Sequence, residues 1–521
     1  MKRLLASLLG AALLLGGAVP APTVQAVALS AGAPAATDLA TKERIWPDER
    51  IYFVFIDRFN NGDKTNDGAA NTSDPRAWHG GDLQGVIDKL DYIKDLGFTA
   101  IWITPHVKNT GRDYHGYGAV DFFDTDPHFG TVAKTKELVE KAHAKGIKVL
   151  FDIVVNHTGP QSPLVAEHPD WFHPKSDITN WNDPKQLQNG WIFALPDFDQ
   201  SKPAVREYIL SYSKFWIDQT GVDGFRLDTV RHVPPDFFTW YNAELQKIKP
   251  GFWLIGEVWE QAPYKLAVYQ DAGVTAMLDF PDSETARSVF AKDSGMNNLA
   301  TMASQVGKTM TDPAQMGAFL DNHDMTRFAT EAKDDPVGRT KLGLTWLFTQ
   351  RSIPIMYYGT EIAMPGKNDP YNRDDFPWGK EQGNEVTALV KKLNQLRADN
   401  VAMRRGTLEN LMADKTAYAY ARVAPDQTAV VVLNNDAANP FTAPVDVSSL
   451  NFKPGAQLKD LLTGKAVKVT DGKITPDVAA RSGAIYVPAP GAMSTTQLVG
   501  VLAVLTVVAG GLSWLRRHRK I

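Results

Sequence analysis

Three carboxylates occupy positions from which they could cleave a glycosidic bond. Asp228, Glu257 and Asp324 each lie at or just beyond the end of an apolar, strand-like run. Cleavage of this bond requires one carboxylate that attacks or stabilises the anomeric carbon and one carboxylic acid that protonates the leaving oxygen. Adjacent strands lie ~4.8 Å apart, which suits the ~5 Å carboxyl separation of a retaining enzyme. We therefore predict that Asp228 and Glu257 react, while Asp324 raises the proton affinity of its neighbours.

Basic and aromatic side chains gather at the same strand ends. Arg226 lies two residues before Asp228 on the same face of the strand, so it could hold that carboxylate ionised. His157, His323 and the segment His115-Gly116-Tyr117 follow other strand-like runs. Any one of these residues alone would be an ordinary packing residue or salt-bridge partner. Their joint occurrence with three carboxylates at one rim predicts a single polar site.

Eight apolar runs alternate with amphipathic helical stretches between residues 50 and 400. Continuous apolar runs are typical of parallel strands that are covered on both faces, and eight such alternations predict a (β/α)₈ barrel. A doubly wound open sheet is the alternative, but Asp57–Asn60 stands where its Gly-rich phosphate loop would be. The predicted strands are Ile51–Phe59, Thr99–Pro105, Val149–Asn156, Gly224–Val230, Trp253–Val258, Ala276–Phe280, Met316–Asn322 and Pro354–Gly359.

The barrel is predicted to carry one insertion and one additional domain. Residues 45–403 form the predicted barrel, and residues 157–200 form an inserted subdomain, since a connection of this length is usually functional. After about residue 404 the pattern changes to short alternating runs. Ala417–Val423 and Ala429–Leu433 predict a hairpin within an antiparallel β domain that spans residues 404–490.

Both ends of the chain have the composition of targeting segments. Residues 1–28 combine a basic start, an apolar run and small residues, which predicts a signal peptide followed by a linker at residues 29–44. Residues 498–515 are apolar, and residues 516–521 are basic, which predicts a transmembrane helix with a cytoplasmic tail. The alternatives are an uncleaved N-terminal anchor, a buried C-terminal helix or a cell-wall sorting signal. We therefore expect an exported protein held at the outer face of the membrane.

The composition excludes several classes of chemistry. The 521 residues include no cysteine, which excludes disulfides, thiolate zinc sites, iron–sulfur clusters and cysteine nucleophiles. The formal net charge is −4, without the basic excess that is typical of nucleic-acid binders. We expect a carbohydrate ligand, no nucleic-acid partner, and a monomer.

The sequence resembles the α-amylase family of glycoside hydrolases over roughly residues 45–490. Four segments carry the resemblance in the family's order, and together they are highly specific. They are Asp152–His157 (DIVVNH), Gly224–His232 (GFRLDTVRH), Gly256–Trp259 (GEVW) and Phe319–Asp324 (FLDNHD). The supporting segments are Gly97–Pro105 (GFTAIWITP), Leu195–Asp199 (LPDFD) and Ile353–Glu361 (IPIMYYGTE).

The resemblance implies a role for each residue of the site. Asp228 would be the nucleophile, Glu257 the general acid and base, and Asp324 a residue that grips the sugar hydroxyls at the scissile bond. The implied substrate-binding residues are His115, Tyr117, His157, Arg226, Arg231, His232 and His323. Two departures from the family pattern affect the cleft: Gly118 stands where many relatives carry Trp, and Arg231 where many carry Lys.

The resemblance also implies calcium, a cation that prefers oxygen ligands. An N-terminal loop resembles a calcium loop of cyclodextrin-forming relatives, although an ordinary Asn/Asp/Gly turn is the alternative. Its implied ligands are Asn61, Asp63, Asn66, Asp67, Gly80 and Asp82. A second site between the barrel and the insertion would use Asn156, Asp197 and the carbonyl of His232.

The main functional prediction is an extracellular α-amylase that cleaves internal α-1,4 bonds of starch-like glucans with retention. The alternatives within the family are a maltogenic amylase, a neopullulanase, an exo-acting α-glucosidase and a cyclodextrin glucanotransferase. The short chain argues against a glucanotransferase, because it leaves little room for extra β domains. A non-catalytic, sugar-binding amylase-like ectodomain is the alternative from another class.

Overall fold

Eight short parallel strands form the centre of the protein. The computed structural model describes residues 44–111, 113–332 and 334–493. The strands are β1 (Ile51–Val54), β2 (Ala100–Ile103), β3 (Lys148–Val154), β4 (Gly224–Asp228), β5 (Trp253–Gly256), β6 (Ala276–Met277), β7 (Gly317–Ala318) and β8 (Ile353–Tyr357). Their order in the sheet is β6-β5-β4-β3-β2-β1-β8-β7. A parallel bridge between Leu278 and Gly317 brings the two outermost strands together. The barrel is thus nearly closed, and the predicted (β/α)₈ fold is confirmed.

The interior of the barrel changes from apolar to charged along the strands. Phe53 of β1 lies opposite Trp102 of β2, and their rings stack with centroids 3.6 Å apart. Asp152 of β3 lies opposite Arg226 of β4, nearer the carboxyl ends of the strands. Every residue of β3 and β4 is buried. A buried charge must be paired, so this end of the barrel carries an ion-pair network.

Helices cover the outer face of the barrel. The longer ones are Leu83–Asp88, Leu90–Asp95, Val132–Ala144, Pro203–Thr220, Pro235–Ile248, Pro263–Asp271, Phe280–Lys292, Asn297–Thr309, Pro336–Thr349 and Glu385–Asp399. Helices of four or five residues, or helices in the segment after β3, are Ile56–Phe59, Leu164–Glu167, Pro184–Asn189, Phe328–Glu331 and Val401–Arg405. Several begin with proline, whose fixed φ and missing N–H suit the first turn of a helix.

Two strands are much shorter than the sequence predicts. The predicted strand Ala276–Phe280 ends at Met277, because Asp279 caps the following helix by accepting a hydrogen bond from the backbone N–H of Asp282. β7 contains only Gly317 and Ala318, although the apolar run continues beyond it. An apolar run can therefore belong to a buried loop or a helix start as well as to a strand.

The segment between β3 and helix Pro203–Thr220 contains only short elements. It returns to the barrel at an antiparallel backbone bridge between Asp197 and His157. There the backbone N–H of Phe198 donates to the carbonyl of Asn156 at 2.8 Å. Its helical turns are Leu164–Glu167, Pro169–Trp171, Pro184–Asn189 and Ile192–Ala194. The segment therefore lies beside the carboxyl ends of β3 and β4.

An antiparallel sheet follows the barrel. In spatial order its strands are Thr407–Ala413, Ala417–Ala424, Gln427–Asn434, Ser482–Pro488, Gln457–Asp460 and Ala466–Lys468. A smaller sheet pairs Val445–Asp446 with Lys473–Ile474. Ala424 lies opposite Gln427 in the second turn of the large sheet, so the predicted hairpin and the predicted antiparallel fold of this region are confirmed.

The predicted targeting segments fall outside the described residues. These segments are residues 1–28, nearly all of residues 29–44, and residues 498–515 and 516–521. Within the described ranges, no helix has both the length and the apolar character needed to cross a membrane. The prediction of an exported protein that a C-terminal span holds at the outer face of the membrane is therefore not supported by the described residues.

Candidate active site

One buried arginine contacts three carboxylates at the carboxyl end of the barrel. Arg226 of β4 donates through Nη1 to Asp152 Oδ1 at 2.9 Å and to Asp228 Oδ1 at 2.8 Å. Its Nη2 lies 2.7 Å from Glu257 Oε1. Asp152 belongs to β3, Asp228 ends β4, and Glu257 directly follows β5. Because these strands are neighbours in the barrel, the structure brings Asp228 and Glu257 to the same guanidinium group.

Ionising all three buried carboxylates beside a single cation has a high free-energy cost. Burial, together with the charges of Asp228 and Asp324 and against the opposing effect of Arg226, raises the pKa of Glu257 to about 8. Burial likewise raises the pKa of Asp152 to about 7. A carboxylic acid that keeps its proton near neutral pH can protonate a leaving group. Glu257 therefore has the protonation state that a general acid needs.

A strained turn fixes the carboxyl group of Glu257 from its other side. Thr229, directly after Asp228, has φ 48°, and positive φ is rare for a β-branched residue. In this conformation its backbone N–H donates to Glu257 Oε2 at 3.2 Å. Backbone strain at such a position is typical of functional sites. The turn orients Glu257 while Arg226 holds its other oxygen.

Asp324 is held by a different arginine. Arg373 Nη2 lies 3.0 Å from Asp324 Oδ1, and His323 Nε2 lies 3.2 Å from Asp324 Oδ2. The Nε of Arg373 also donates to the carbonyl of His323 at 2.8 Å. The Asp324 side chain is 30% exposed, whereas Asp228 is buried. Asp324 is thus fixed in direction and still accessible to a ligand.

Neutral rings connect these groups. The hydroxyl of Tyr117 donates to Asp152 Oδ2 at 2.9 Å and lies 2.7 Å from His323 Nε2, and its ring stacks on that of His323. His115 stacks on Tyr117, and His157 Nε2 donates to the Tyr117 carbonyl at 3.2 Å. Burial lowers the pKa of His115 to about 4 and holds that of His157 below its usual value. At neutral pH these imidazoles are uncharged hydrogen-bonding groups.

Arg231 and His232 connect the loop after β4 to the insertion. Arg231 Nη2 lies 2.6 Å from Glu260 Oε1 and also donates to the carbonyl of Trp181. His232 Nδ1 donates to the carbonyl of Leu187 at 2.9 Å. Both side chains are therefore occupied by protein contacts on the Glu257 side of the site.

Exposed aromatic rings surround this end of the barrel. In the part of the chain that the structure describes, the large exposed aromatics all lie in the segments that follow β3, β5 and β8, with Tyr264 in the first turn of helix Pro263–Asp271. They are Trp181 (43% exposed), Phe193 (83%), Trp259 (43%), Tyr264 (64%) and Tyr371 (55%). Exposed apolar rings that lie together mark ligand-binding grooves, and the ring centroids of Trp181 and Phe193 are 6.4 Å apart.

The predicted N-terminal calcium loop contains buried oxygens without partners. Asn61 Oδ1 and Asn66 Oδ1 are buried and accept no hydrogen bond. Asn61 Nδ2 donates to Asp67 Oδ1 at 2.7 Å. Gly80 has φ +93°, and a Cβ there would lie 2.6 Å from Asn61 Nδ2 and 2.8 Å from Asp67 Oδ1. Amide and carboxylate oxygens in a cradle that only glycine can complete fit Ca²⁺.

The two remaining acidic residues of this loop differ from each other. Asp82 is buried and accepts from the backbone N–H groups of Asp63 at 2.7 Å and Gly85 at 2.6 Å. The carboxylate of Asp63 instead accepts from the hydroxyl of Thr65 at 2.6 Å in an exposed turn. Asp82 therefore stiffens the loop, while the Asp63 carboxylate is engaged at the surface.

The second predicted calcium site shows the same signature. Asn156 Oδ1 and Asp197 Oδ1 are buried without a hydrogen bond, and so is Gln200 Oε1, a residue outside the predicted ligand set. The other oxygen of Asp197 lies 2.7 Å from His173 Nδ1. Within the described ranges, no three His, Asp or Glu side chains converge to hold a metal ion. The fit of either site to Ca²⁺ therefore depends on amide oxygens.

Comparison with known proteins decides the family. The family model for "Alpha amylase, catalytic domain" matches residues 53–408. The chain belongs to the α-amylase family. It is accordingly a glycoside hydrolase in family and fold, and the residues of the site described above lie within the matched range.

The relatives of this α-amylase family member carry different names. A beta/alpha-amylase of Paenibacillus polymyxa is 35% identical over 462 residues, which are 85% of this chain but only 38% of that protein. A cyclomaltodextrinase of Thermoanaerobacter pseudethanolicus is 33% identical over 450 residues, which are 81% of this chain and 74% of that protein.

Solved structures extend the comparison. An Anoxybacillus α-amylase superposes with a TM-score of 0.82 at 42% identity and covers 86% of this chain and 99% of its own. A cyclomaltodextrin glucanotransferase with a three-domain ABC distribution superposes with a TM-score of 0.76 at 31% identity, covering 84% and 99%. A glucanotransferase of about this length thus exists. The prediction that a short chain argues against a glucanotransferase is therefore wrong.

Two residues of this site were missed in the sequence. Asp152 begins a matching segment, but a lone Asp in a strand is usually a structural residue, so its position in the sequence does not predict a role. Arg373 lies in the loop after β8, in a stretch without any matching motif. Only the folded chain brings Arg373 to Asp324, and no sequence signal indicates that contact.

Proposed function

We propose that the protein is a retaining glycosidase that acts on the α-1,4 bonds of cyclodextrins and maltooligosaccharides, by transfer as well as by hydrolysis. The observation that carries this proposal is the shared guanidinium of Arg226, which contacts Asp228 and Glu257 simultaneously. One common partner favours the ~5 Å carboxyl spacing of retaining enzymes over the wider spacing that leaves room for a water. The names of the relatives support the choice of substrates.

In the first step, Asp228 attacks the anomeric carbon. The bond from that carbon to the leaving sugar breaks, and the electron pair stays on the leaving oxygen, which takes the proton of Glu257. A covalent β-glycosyl ester on Asp228 remains. Arg226 Nη1 donates to Asp228 Oδ1 at 2.8 Å and orients that carboxylate for the attack.

In the second step, Glu257 acts as a base. Its carboxylate takes a proton from water or from a sugar hydroxyl, and the resulting oxygen nucleophile displaces Asp228 from the anomeric carbon. Two inversions give net retention. Water yields hydrolysis and a sugar hydroxyl yields transfer, so the occupant of the acceptor side decides the outcome.

The remaining residues of the site hold the sugar at the scissile bond. We propose that Asp324, His323 and His157 form hydrogen bonds with the hydroxyls of this sugar. The imidazoles of His323 and His157 are neutral and can act as donors or acceptors. Tyr117 presents its ring to the sugar face, with His115 beside it. Asp324 does not attack, because Arg373 and His323 fix both of its oxygens.

The insertion supplies the acceptor side. Phe193 is 83% exposed, has φ 50°, and lies near the ring of Trp181. Arg231 ties Trp181 to the loop that follows Glu257, which is the side where the leaving group departs. Exposed rings held in this way offer apolar faces to sugars. Such a surface favours binding of a sugar acceptor or of the rim of a cyclodextrin.

A product time course tests the proposal. We expect β-cyclodextrin to be opened at a rate comparable to that of maltoheptaose cleavage, with linear products longer than the substrate revealing transfer. Phe193→Ala should lower kcat/KM for cyclodextrin about 10-fold, the equivalent of ~1.4 kcal/mol of lost stacking. The matched variant Tyr371→Ala, on a loop away from the insertion, should affect cyclodextrin less.

The second candidate function is endo-hydrolysis of starch, which the likeness to the Anoxybacillus α-amylase favours. Rapid cleavage of starch with cyclodextrins left intact would establish it in place of the first proposal. Asp228→Asn lacks the nucleophile and should form no product from any substrate. Product formation by that variant would contradict the retaining mechanism itself.

We also propose that Ca²⁺ stabilises the two oxygen-rich sites. The residues that would hold it include Asn61, Asn66 and Asp67 at one site and Asn156 and Asp197 at the other. A ligand bound only to the native state raises its stability. Removal of Ca²⁺ with a chelator should therefore lower Tm by several degrees, and Ca²⁺ rather than Mg²⁺ should restore it. An unchanged melting curve would contradict this proposal.

A further inference from the structure

Asp152 is a fourth carboxylate at this site, and the proposed steps do not use it. Its side chain is fully buried, and both of its oxygens lie within 3.0 Å of Arg226 Nη1. Oδ2 also accepts from Trp102 Nε1 at 3.1 Å and from the hydroxyl of Tyr117 at 2.9 Å. Asp152 is therefore held by three donors beneath the site and offers no free face to a substrate.

This carboxylate is connected to all three predicted catalytic residues. Through Arg226 it shares one guanidinium with Asp228 and Glu257. Through the Tyr117 hydroxyl, which lies 2.7 Å from His323 Nε2, it connects to Asp324. The charged and titratable groups facing Asp152 and Glu257 are Arg226, Asp228, Asp324, Tyr117 and His323.

The shared guanidinium makes the charges of these groups interdependent. Arg226 favours the ionised form of each neighbour, and every negative charge beside it cancels part of that effect. Ionised Asp152 therefore weakens the pull of Arg226 on Glu257, and it also repels a second negative charge nearby. Interacting groups of this kind titrate as a set. Trp102 and Tyr117 donate to Asp152 and so stabilise its ionised form.

We propose that Asp152 is a positioning residue that keeps the proton on Glu257 at neutral pH by neutralising Arg226 between them. The inference builds on the proposed role of Glu257 as the general acid. It assigns to Asp152 an electrostatic task in addition to its structural contacts. The predicted consequence is a shift of the pH dependence of catalysis when the charge of Asp152 is removed.

The pH profile of Asp152→Asn tests this inference. In the wild-type protein kcat/KM should fall as pH rises through about 8, because Glu257 loses its proton there. In Asp152→Asn the neutral amide no longer opposes Arg226, so Glu257 should lose its proton at lower pH. The alkaline limb of the kcat/KM profile should therefore move to lower pH by about 1 unit, with a further loss of kcat/KM at pH 8.

A substrate that needs no acid separates the two parts of the effect. An α-glucosyl fluoride releases fluoride without protonation, so its reaction depends on Asp228 and not on the proton of Glu257. The alkaline limb of this reaction should be the same in the wild-type protein and in Asp152→Asn. An equal loss of rate on both substrates with an unmoved limb would show a merely structural role and overturn the inference.

A second variant keeps the test valid should Asp152→Asn fail to fold. Trp102→Phe retains an aromatic ring but removes the indole N–H that donates to Asp152. Less stabilisation of ionised Asp152 should move the alkaline limb in the same direction by a smaller amount. Trp216→Phe is the matched control, since its indole N–H donates to the carbonyl of Phe122 outside the network. Its limb should not move.

Failure of the inference and failure of the proposed function are distinguishable. Glu257→Gln should lose its activity on maltoheptaose but keep some on the fluoride. Near-normal turnover of maltoheptaose by Glu257→Gln would contradict the proposed function. An inactive Glu257→Gln together with limbs unmoved in both Asp152→Asn and Trp102→Phe would overturn only the role of Asp152.

Discussion

Two of the places where the protein buries arginine side chains differ in their surroundings. At the carboxyl end of the barrel, Arg226 contacts three carboxylates. At the junction with the antiparallel sheet, Arg397 and Arg422 are equally buried, and their hydrogen bonds within the described ranges go to backbone carbonyls. The first cluster can exchange protons, because its partners are titratable. The partners of the second cluster are backbone carbonyls, which do not titrate.

The carbonyl cluster is explained by a helix end. Helix Pro336–Thr349 ends beside these arginines, and the last carbonyls of a helix have no intrahelical partner. Arg397 donates to the carbonyl of Phe348 at 3.0 Å, and Arg422 to that of Thr349 at 2.9 Å. The negative end of the helix dipole favours a cation here. Burial, together with the neighbouring charge, lowers the pKa of both groups.

The difference shows what makes a buried cation part of a reactive site. Carbonyl partners satisfy an arginine without offering a proton, so the contact fixes the packing of the helix end against the sheet. One guanidinium cannot neutralise several carboxylates at once. Burial raises the pKa of these carboxylates, so some of them keep a proton. The same buried side chain therefore belongs to a titratable cluster in one place and joins two parts of the fold in another.

Arg226→Lys is the strongest test of this comparison. Lysine keeps the positive charge, but a single ammonium cannot reproduce the fork that contacts Asp152, Asp228 and Glu257 together. We expect kcat on maltoheptaose to fall by about 100-fold or more, because the two reacting carboxylates lose their common support. Steady-state kinetics at pH 6 to 9 would measure the effect, together with a circular dichroism spectrum to confirm folding.

The result would contradict the comparison in one case. A folded Arg226→Lys variant with kcat within a few-fold of the wild-type protein would show that the fork is unnecessary. The contact would then resemble the carbonyl cluster, where the arginine serves packing alone. The same substitution at Arg422 provides the matched control.

The reactive cluster was largely predictable, because barrel strands impose order on the sequence. Arg226 and Asp228 are two residues apart on one strand, and Glu257 follows the next strand, so adjacency in the barrel brings them together. Asp152 was visible in the sequence, but its role depends on sharing Arg226. That requirement becomes apparent only when the distances are known.

The carbonyl cluster could not be predicted. Every residue has a backbone carbonyl, so a partner such as Thr349 leaves no signal in the sequence. The pairing of Arg422 with a helix end also depends on how the sheet packs against the barrel. The loop that carries Arg373 was missed for a similar reason, since its contact with Asp324 joins loops that are distant in sequence.

Arg422→Lys should produce the smaller and purely structural effect. Lysine retains the charge but cannot donate to the carbonyls of Thr349, Gln350 and Gly406 at once, so at least one buried carbonyl loses its donor. We expect the free energy of unfolding to fall by about 1–3 kcal/mol. Denaturant unfolding would measure this loss, while kcat and the alkaline limb should match the wild-type protein. A shifted pH profile in this variant would show that the two arginine clusters are coupled through the barrel, and their separation into reactive and structural sites would be wrong.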